Sequence, residues 1–193
     1  TVPIINDIID VSKIESGKLA LEIGPVSVIT LCEDCLQMVQ ETAQIKQIQF
    51  TKTIQLTTDL IYVDGRLLMQ ILLNLLNNAV KFTPDSGQVG LEVYEDAKRE
   101  VIIFSIWDTG IGIATQDIPK LFQPFVQLDS KLSRNYQGAG LGLALVYRLT
   151  KLHGGSVTVD STPNRGSRFT IALPHPLHSG QTGNESTIGI QAT

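Results

Sequence analysis

Asn74-Leu75-Leu76-Asn77-Asn78-Ala79-Val80-Lys81-Phe82 closes a run in which apolar residues recur at helical spacing. Leu67, Leu68, Ile71, Leu72, Leu75 and Ala79 form one face, and Asp64 stands where a helix N-cap belongs. Pro84 and Gly87 break the pattern, so a helix is predicted from Asp64 to about Val80. Gln70, Asn74, Asn78 and Lys81 share a second stripe of the same helix. Such a stripe is ordinarily a solvent face. Here no Asp or Glu occurs between Gly65 and Pro84, which is odd for a solvent face and sensible beside a polyphosphate. Amide oxygens can hold a divalent cation, and an ammonium donor stands next to them.

Two further stretches carry chemistry. In Asp108-Thr109-Gly110-Ile111-Gly112-Ile113, the preceding residues Ile102, Phe104 and Ile106 share a strand side with Asp108. If that side faces the core, the carboxylate needs a donor, and an exocyclic amine such as that of adenine is suitable. The glycines let backbone pass close to a ligand, although a plain strand-end turn has the same look. In Gly138-Ala139-Gly140-Leu141-Gly142-Leu143, glycines lead into a helix predicted over Ala139–Leu152. A helix entrance of this kind offers free N–H groups and a positive dipole end to an anion. It departs from the dinucleotide-binding spacing G-x-G-x-x-G, and the phosphate loop GxxxxGK[ST] is absent.

The rest of the chain frames these stretches. Its 193 residues suggest one domain with an appendage, at roughly 150 residues per domain. Fifteen Lys+Arg against nineteen Asp+Glu give a net charge of −4, with no basic cluster. That balance argues against nucleic acid or an anionic membrane as partner. No apolar run approaches the roughly 18 residues of a membrane span. The start at Thr1, without Met or signal pattern, is expected for a piece of a longer protein. Ile4, Ile5, Ile8, Ile9, Val11 and Ile14 mark an apolar helix ending at Gly17. Strands are expected at Leu19–Ile23, around Phe50–Ile54, at Gln88–Tyr94, Val101–Asp108, Ser156–Ser161 and Ser167–Leu173, with a helix over Ser27–Lys46. Ala114–Gln137 lacks periodicity apart from a helical turn at Ile118–Phe122, and a loop this long needs a job. Cys32 and Cys35 fall on the buried face of the first long helix, away from its start, so they read as core rather than as a redox pair or zinc site. So few cysteines fit a reducing compartment.

Taken in order, the three stretches resemble the catalytic ATP-binding domain of two-component sensor histidine kinases, whose fold is shared with gyrase-type ATPases and heat-shock chaperones. Asn74–Phe82 is similar to the asparagine box, Asp108–Ile113 to the first glycine box, Leu121–Phe125 to the phenylalanine box, and Gly138–Leu143 to the second glycine box. The resemblance implies a two-layer α/β (α+β) sandwich of the Bergerat type. A mixed sheet of about five strands would be covered on one face by three helices, with Ala114–Gln137 as a long ATP lid. It further implies residues 1–17 as the end of the second dimerisation helix and 18–174 as the catalytic domain, while residues 175–193, poor in large apolar residues and rich in Gly, Ser and Thr, read as a flexible tail or linker.

The same resemblance implies roles. Asn78 would coordinate Mg2+ with support from Asn74, and Lys81 would contact the phosphates. Phe82 would flank the base, Asp108 would accept the adenine amine, and Gly110, Gly112 and Ile113 would border it. Phe122 and Phe125 would belong to the lid. Gly138, Ala139, Gly140, Leu141, Gly142 and Leu143 would border the triphosphate, with Arg134 reaching the γ-phosphate. Asn74, Lys81 and Arg134 would form the catalytic set. Gln123 and Ala139 depart from the family's frequent acid and threonine. The phosphoacceptor histidine would lie upstream of Thr1. His153 reads as a helix-end residue, and His175 and His178 as bystanders. The implied partners are a dimerisation domain and a downstream receiver domain, in a homodimeric parent with a cytoplasmic kinase portion. An ATP-hydrolysing clamp or chaperone of the same fold, or a non-catalytic nucleotide module, are the competing readings.

Overall fold

The structure, a computed structural model, describes residues 19–126 and 140–175 together with Ile14 and Gly17. The expectations for the rest of the 1–17 helix, for Arg134, Gly138 and Ala139, and for the tail from residue 176 lie outside the described residues. In chain order the elements are β1 (Gly24–Ser27), α1 (Val28–Ile45), β2 (Gln49–Gln55), β3 (Leu60–Val63), α2 (Gly65–Phe82), β4 (Gln88–Asp96), β5 (Val101–Asp108), a 3-10 helix (Thr115–Lys120), α3 (Gly142–Leu152), β6 (Ser156–Thr162) and β7 (Gly166–Pro174).

Both long helices start on a side-chain cap. Ser27 Oγ accepts from Thr30 N, and Asp59 adds a bond from Ile29 N at 2.8 Å. The Asp64 carboxylate, only 2% exposed, accepts from Leu67 N at 3.1 Å and from Glu22 N at 3.0 Å. Each cap satisfies donors that the first helical turn leaves without partners. The buried faces follow the periodicity: Val28, Leu31, Cys32, Cys35, Val39 and Ala43 on α1, and Leu67, Leu68, Ile71, Leu72, Leu75, Leu76, Ala79 and Val80 on α2. Cys32 and Cys35 are free and buried, and burial pushes both thiols up to about 12, so they act as apolar filling.

Five strands form a mixed sheet in the order β2-β4-β5-β7-β6, with β2 parallel to β4 and the other neighbours antiparallel. Val89, Leu91 and Val93 of β4, Ile102, Phe104 and Ile106 of β5, and Phe169, Ile171 and Leu173 of β7 join the three helices in one apolar core. The expected two-layer α/β sandwich is therefore the observed one, with β1 and β3 as an extra antiparallel pair. On the opposite face Trp107 lies over Gly90, so close that a Cβ there would sit 2.1 Å from the indole. Trp107 Nε1 donates to Glu92 at 2.8 Å, and Arg168 bonds the other oxygen of Glu92 at 2.6 Å.

Three boundaries differ from expectation. The strand expected at Leu19–Ile23 falls instead at Gly24–Ser27, because its partner is β3 and the register pairs Gly24 with Val63. Leu19 and Leu21 do pack on the core, so their alternation reported burial and not strand pairing. The helical turn expected at Ile118–Phe122 lies at Thr115–Lys120 as a 3-10 segment. Helix α3 starts at Gly142 rather than Ala139, since Gly140 takes a left-handed φ of +69° that cannot continue a helix.

Candidate functional site

The three singled-out stretches meet where the C-terminal half of α2, the end of β5 and the start of α3 converge. Asn74 and Gly142 are brought into contact, since a Cβ on Gly142 would fall 3.0 Å from Asn74 Oδ1. Glycine at 142 thus keeps open the junction between the amide stripe and the α3 entrance. That entrance is unlike the other two helix starts. Its N-cap position is Leu141, which makes no side-chain cap bond. The first turn of α3 accordingly presents N–H groups that no side chain caps, as an anion requires.

Asn74, Asn78, Lys81 and Phe82 are half-buried on α2, whereas Asn77 is exposed. The stripe is therefore no ordinary solvent face. Burial lowers the Lys81 ammonium below its ordinary value, and its Nζ lies 5.0 Å from the Phe82 ring centroid. Leu141, by contrast, is only 1% exposed and belongs to the core. Leu143 packs against the core as well.

Asp108 ends β5 on the core side, 9% exposed. One carboxylate oxygen accepts from Gly110 N at 2.7 Å. Burial pushes the carboxyl above the usual carboxylate range, and the backbone amides of Gly110 and Ser167 offset part of that rise. A buried carboxylate can accept more bonds than these, so it stands ready for a further donor. The loop that follows is tied at every turn. Ile111 N bonds Phe82 O at 3.3 Å, Asn164 N bonds Ile111 O at 2.7 Å, and Ile113 N bonds Ser161 Oγ at 2.8 Å. Gly110 and Gly112 allow chain to approach chain: a Cβ would lie 2.5 Å from Phe82 O at the first and 2.0 Å from Thr162 O at the second.

The beginning and end of the long loop come together. Phe125 N donates to Gly140 O at 3.1 Å, and Phe122 stacks obliquely on Tyr147 of α3, with centroids 5.4 Å apart. Phe125 itself is 67% exposed. His153 behaves as expected, its Nδ1 donating to Leu149 O at 2.8 Å at the end of α3. His175 is less of a bystander: its N–H donates to Glu100 O, and its ring lies 3.8 Å from Glu95.

Sequence reasoning missed the β6–β7 hairpin as a support. Ser161 Oγ holds Gly166 O at 2.9 Å and Ser167 Oγ at 2.9 Å, and a Cβ on Gly166 would sit 1.8 Å from Asp108 O. The contact of the Asn164-Arg165-Gly166 turn with Asp108 depends on the pairing of β5 with β7.

Comparison with known proteins follows this geometry. The family described as "Histidine kinase-, DNA gyrase B-, and HSP90-like ATPase" matches residues 63–177, more than half of the chain. The chain is 46% identical over 173 residues to the circadian input-output histidine kinase CikA of Synechococcus elongatus, covering 89% of this chain and 23% of that protein. It is 43% identical over 176 residues to the sensor protein GacS of Pseudomonas syringae pv. syringae, covering 90% and 19%. The chain thus spans about a quarter or less of the length of these relatives. Among solved structures, full-length ShkA in complex with AMPPNP superposes with a TM-score of 0.78 at 32% identity, over 88% of this chain and 34% of that one. The catalytic domain of histidine kinase ThkA shares the fold, with a TM-score of 0.68 at 22% identity over 80% of this chain and 97% of that one.

Proposed function

Because the chain belongs to the histidine kinase-, DNA gyrase B- and HSP90-like ATPase family, we propose that it is the catalytic domain of a sensor histidine kinase. It would bind Mg-ATP and donate the γ-phosphoryl group to a histidine on a dimerisation domain outside this chain. The observation that carries this reading is the meeting of Asn74 with the side-chain-uncapped start of α3 at Gly142. The Asn74 amide oxygen there lies beside a helix start suited to an anion, and Asn78 and Lys81 follow on the same stripe of α2.

On this reading Asp108 accepts the adenine amine, and Phe82, Gly110, Gly112 and Ile113 frame the base. Lys81 contacts the phosphates, with the backbone of Gly138–Leu143 bordering them. Arg134, Phe122 and Phe125 act from the lid. Among the described residues no group of three His, Cys, Asp or Glu is placed to hold a metal. Asn78 and Asn74 fit an ion that arrives with phosphate oxygens completing its shell, which is how Mg2+ is usually held at nucleotides. When bound, that ion would neutralise the charge developing on the transferred phosphoryl group. The protein's own share is to orient the phosphates through Lys81 and the α3 entrance, and to exclude water by lid closure. Asn74 also weighs against a hydrolysing clamp. Those relatives in fold carry a Glu there to activate water, and a neutral amide cannot serve as that base.

The natural setting would be a homodimeric, cytoplasmic kinase module coupled to a receiver domain. Among the described residues no helix is long and apolar enough to cross a membrane. The test is to mix the chain with ATP, Mg2+ and a separately supplied dimerisation hairpin. Phosphohistidine should form on the hairpin, while hydrolysis without it stays well below about 1 per second. Brisk hydrolysis with no transfer would favour the clamp ATPases.

A further inference from the structure

An α-helix leaves its last four carbonyls without intrahelical partners. At the end of α2 the structure supplies a donor to each. Ala79 O accepts Thr83 N at 3.0 Å and Thr83 Oγ1 at 2.6 Å. Phe82 O accepts Ile111 N from the Asp108 loop. The remaining carbonyls are served by one side chain. Lys46 Nζ bonds Val80 O at 2.7 Å and Lys81 O at 3.1 Å, and it also bonds Thr83 O. An ammonium has three donors, and a cation at a helix C-terminus also opposes the dipole.

Lys46 is itself held in place. It is the C-cap residue of α1, and its carbonyl accepts Ser86 N at 2.8 Å. Gln47 follows with a left-handed φ of 54°, which turns the chain into β2. Lys46 therefore joins the end of α1 to the turn of α2 that carries Lys81 and Phe82. We infer that Lys46 is a positioning residue for the nucleotide site, fixing the last turn of α2 and with it the reach of Lys81 toward phosphate.

This rests on the proposed nucleotide site, and it predicts a split between base and phosphate. Asp108 itself is held by β4, by β7 and by the Gly110 amide on its carboxylate, and the α2 end reaches its loop only further on, at Ile111 N. Removing the ammonium should let Lys81 drift while the base acceptor stays. Lys46→Met should weaken ATP and ADP by about tenfold, as misplacement of a group at a distance can, and adenosine by less than about threefold. Lys46→Arg, which restores a cationic donor, should recover most of the loss. Amide exchange at Thr83 and Ile111 should quicken in the Met variant while Val93 and Phe104 keep their protection. Lys46→Gln, which keeps a neutral donor, serves if the Met variant does not fold.

The parent chain is titrated with ATP first. If it binds none, the functional reading fails, and the exchange measurement still decides whether Lys46 fixes the α2 end. Parent-like ATP affinity in Lys46→Met would overturn the inference. So would equal losses for adenosine and ATP, or exchange that rises across the whole sheet, since those outcomes describe general stability and not positioning.

Discussion

The two halves of the candidate site are built on opposite principles. Around Asp108 nearly every backbone group has a partner: Gly110, Ile111 and Ile113 each donate to a fixed acceptor, and Gly112 and Gly166 let neighbouring chain pack where a side chain would stand. At the α3 entrance the reverse holds. The helix starts on Leu141 with no side-chain cap, and the first described residue beyond the long loop, Gly140, is bonded through its carbonyl to Phe125. One half has its backbone satisfied without a ligand and offers only the Asp108 carboxylate, and the other leaves its backbone donors for one. In a nucleotide site this division makes sense. The base can be read by a rigid pocket, while the phosphates must enter and, after transfer, leave.

Three changes would break or sharpen that contrast, the largest first. Gly112→Ala strikes the rigid half, where a φ of +64° and a carbonyl 2.0 Å from the new Cβ leave no room. It should cost about 2–4 kcal/mol of fold stability by denaturant titration, from left-handed strain and overpacking together. A loss below about 0.5 kcal/mol would mean that the loop is far more yielding than its bonds imply.

Asp108→Asn tests the chemistry of the same half. It turns a charge-assisted acceptor into an amide, and ADP and ATP affinity should fall by roughly one to two decades with or without Mg2+. Stability should move the other way. Burial raises the Asp108 pKa, so the folded state holds its proton longer than the unfolded chain, and ionisation counts against folding. The nucleotide-free Asn variant should therefore equal or exceed the parent in stability at neutral pH. That advantage should vanish as pH falls below the carboxylate range, where both states are protonated. Nucleotide binding by the parent should weaken as pH drops, beginning above the range of an ordinary Asp. Unchanged ADP affinity by calorimetry would remove Asp108 from the base contact.

Asn78→Ala probes the open half and is the mildest. It should lower ADP affinity by about tenfold in magnesium and hardly at all in chelator, because on the proposed reading it would remove a metal ligand and leave the Asp108 side of the site whole. Equal loss in both conditions would assign Asn78 to packing instead.

Much of this was legible in the residues because it is local. The α2 face, its Asp64 cap, and the alternation that puts Ile102, Phe104, Ile106 and Asp108 on one side all follow from periods of 3.6 and 2. What escaped was set by pairing. β3 is four residues long, and its alternate burial at Ile61 and Val63 has meaning only once β1 lies beside it. The role of Gly166 beneath Asp108 and the reach of Lys46 across to α2 depend on contacts between residues 58 and 34–37 positions apart. Nothing in a local window records such meetings. The start of α3 was read three residues early because glycine spacing marks an anion site without saying which glycine turns left-handed.

Trp107 gives the chain an optical handle on this division. It is the sole tryptophan in the sequence, next to Asp108 yet on the far face of the sheet. Its indole is bonded to Glu92 and lies 6.0 Å from the Arg168 guanidinium. Intrinsic fluorescence excited at the red edge therefore comes from one place, the β4–β5–β7 platform that carries Asp108. A change in its emission reports strain or melting of the sheet, whereas events confined to the α3 entrance pass on the other side of the core in silence.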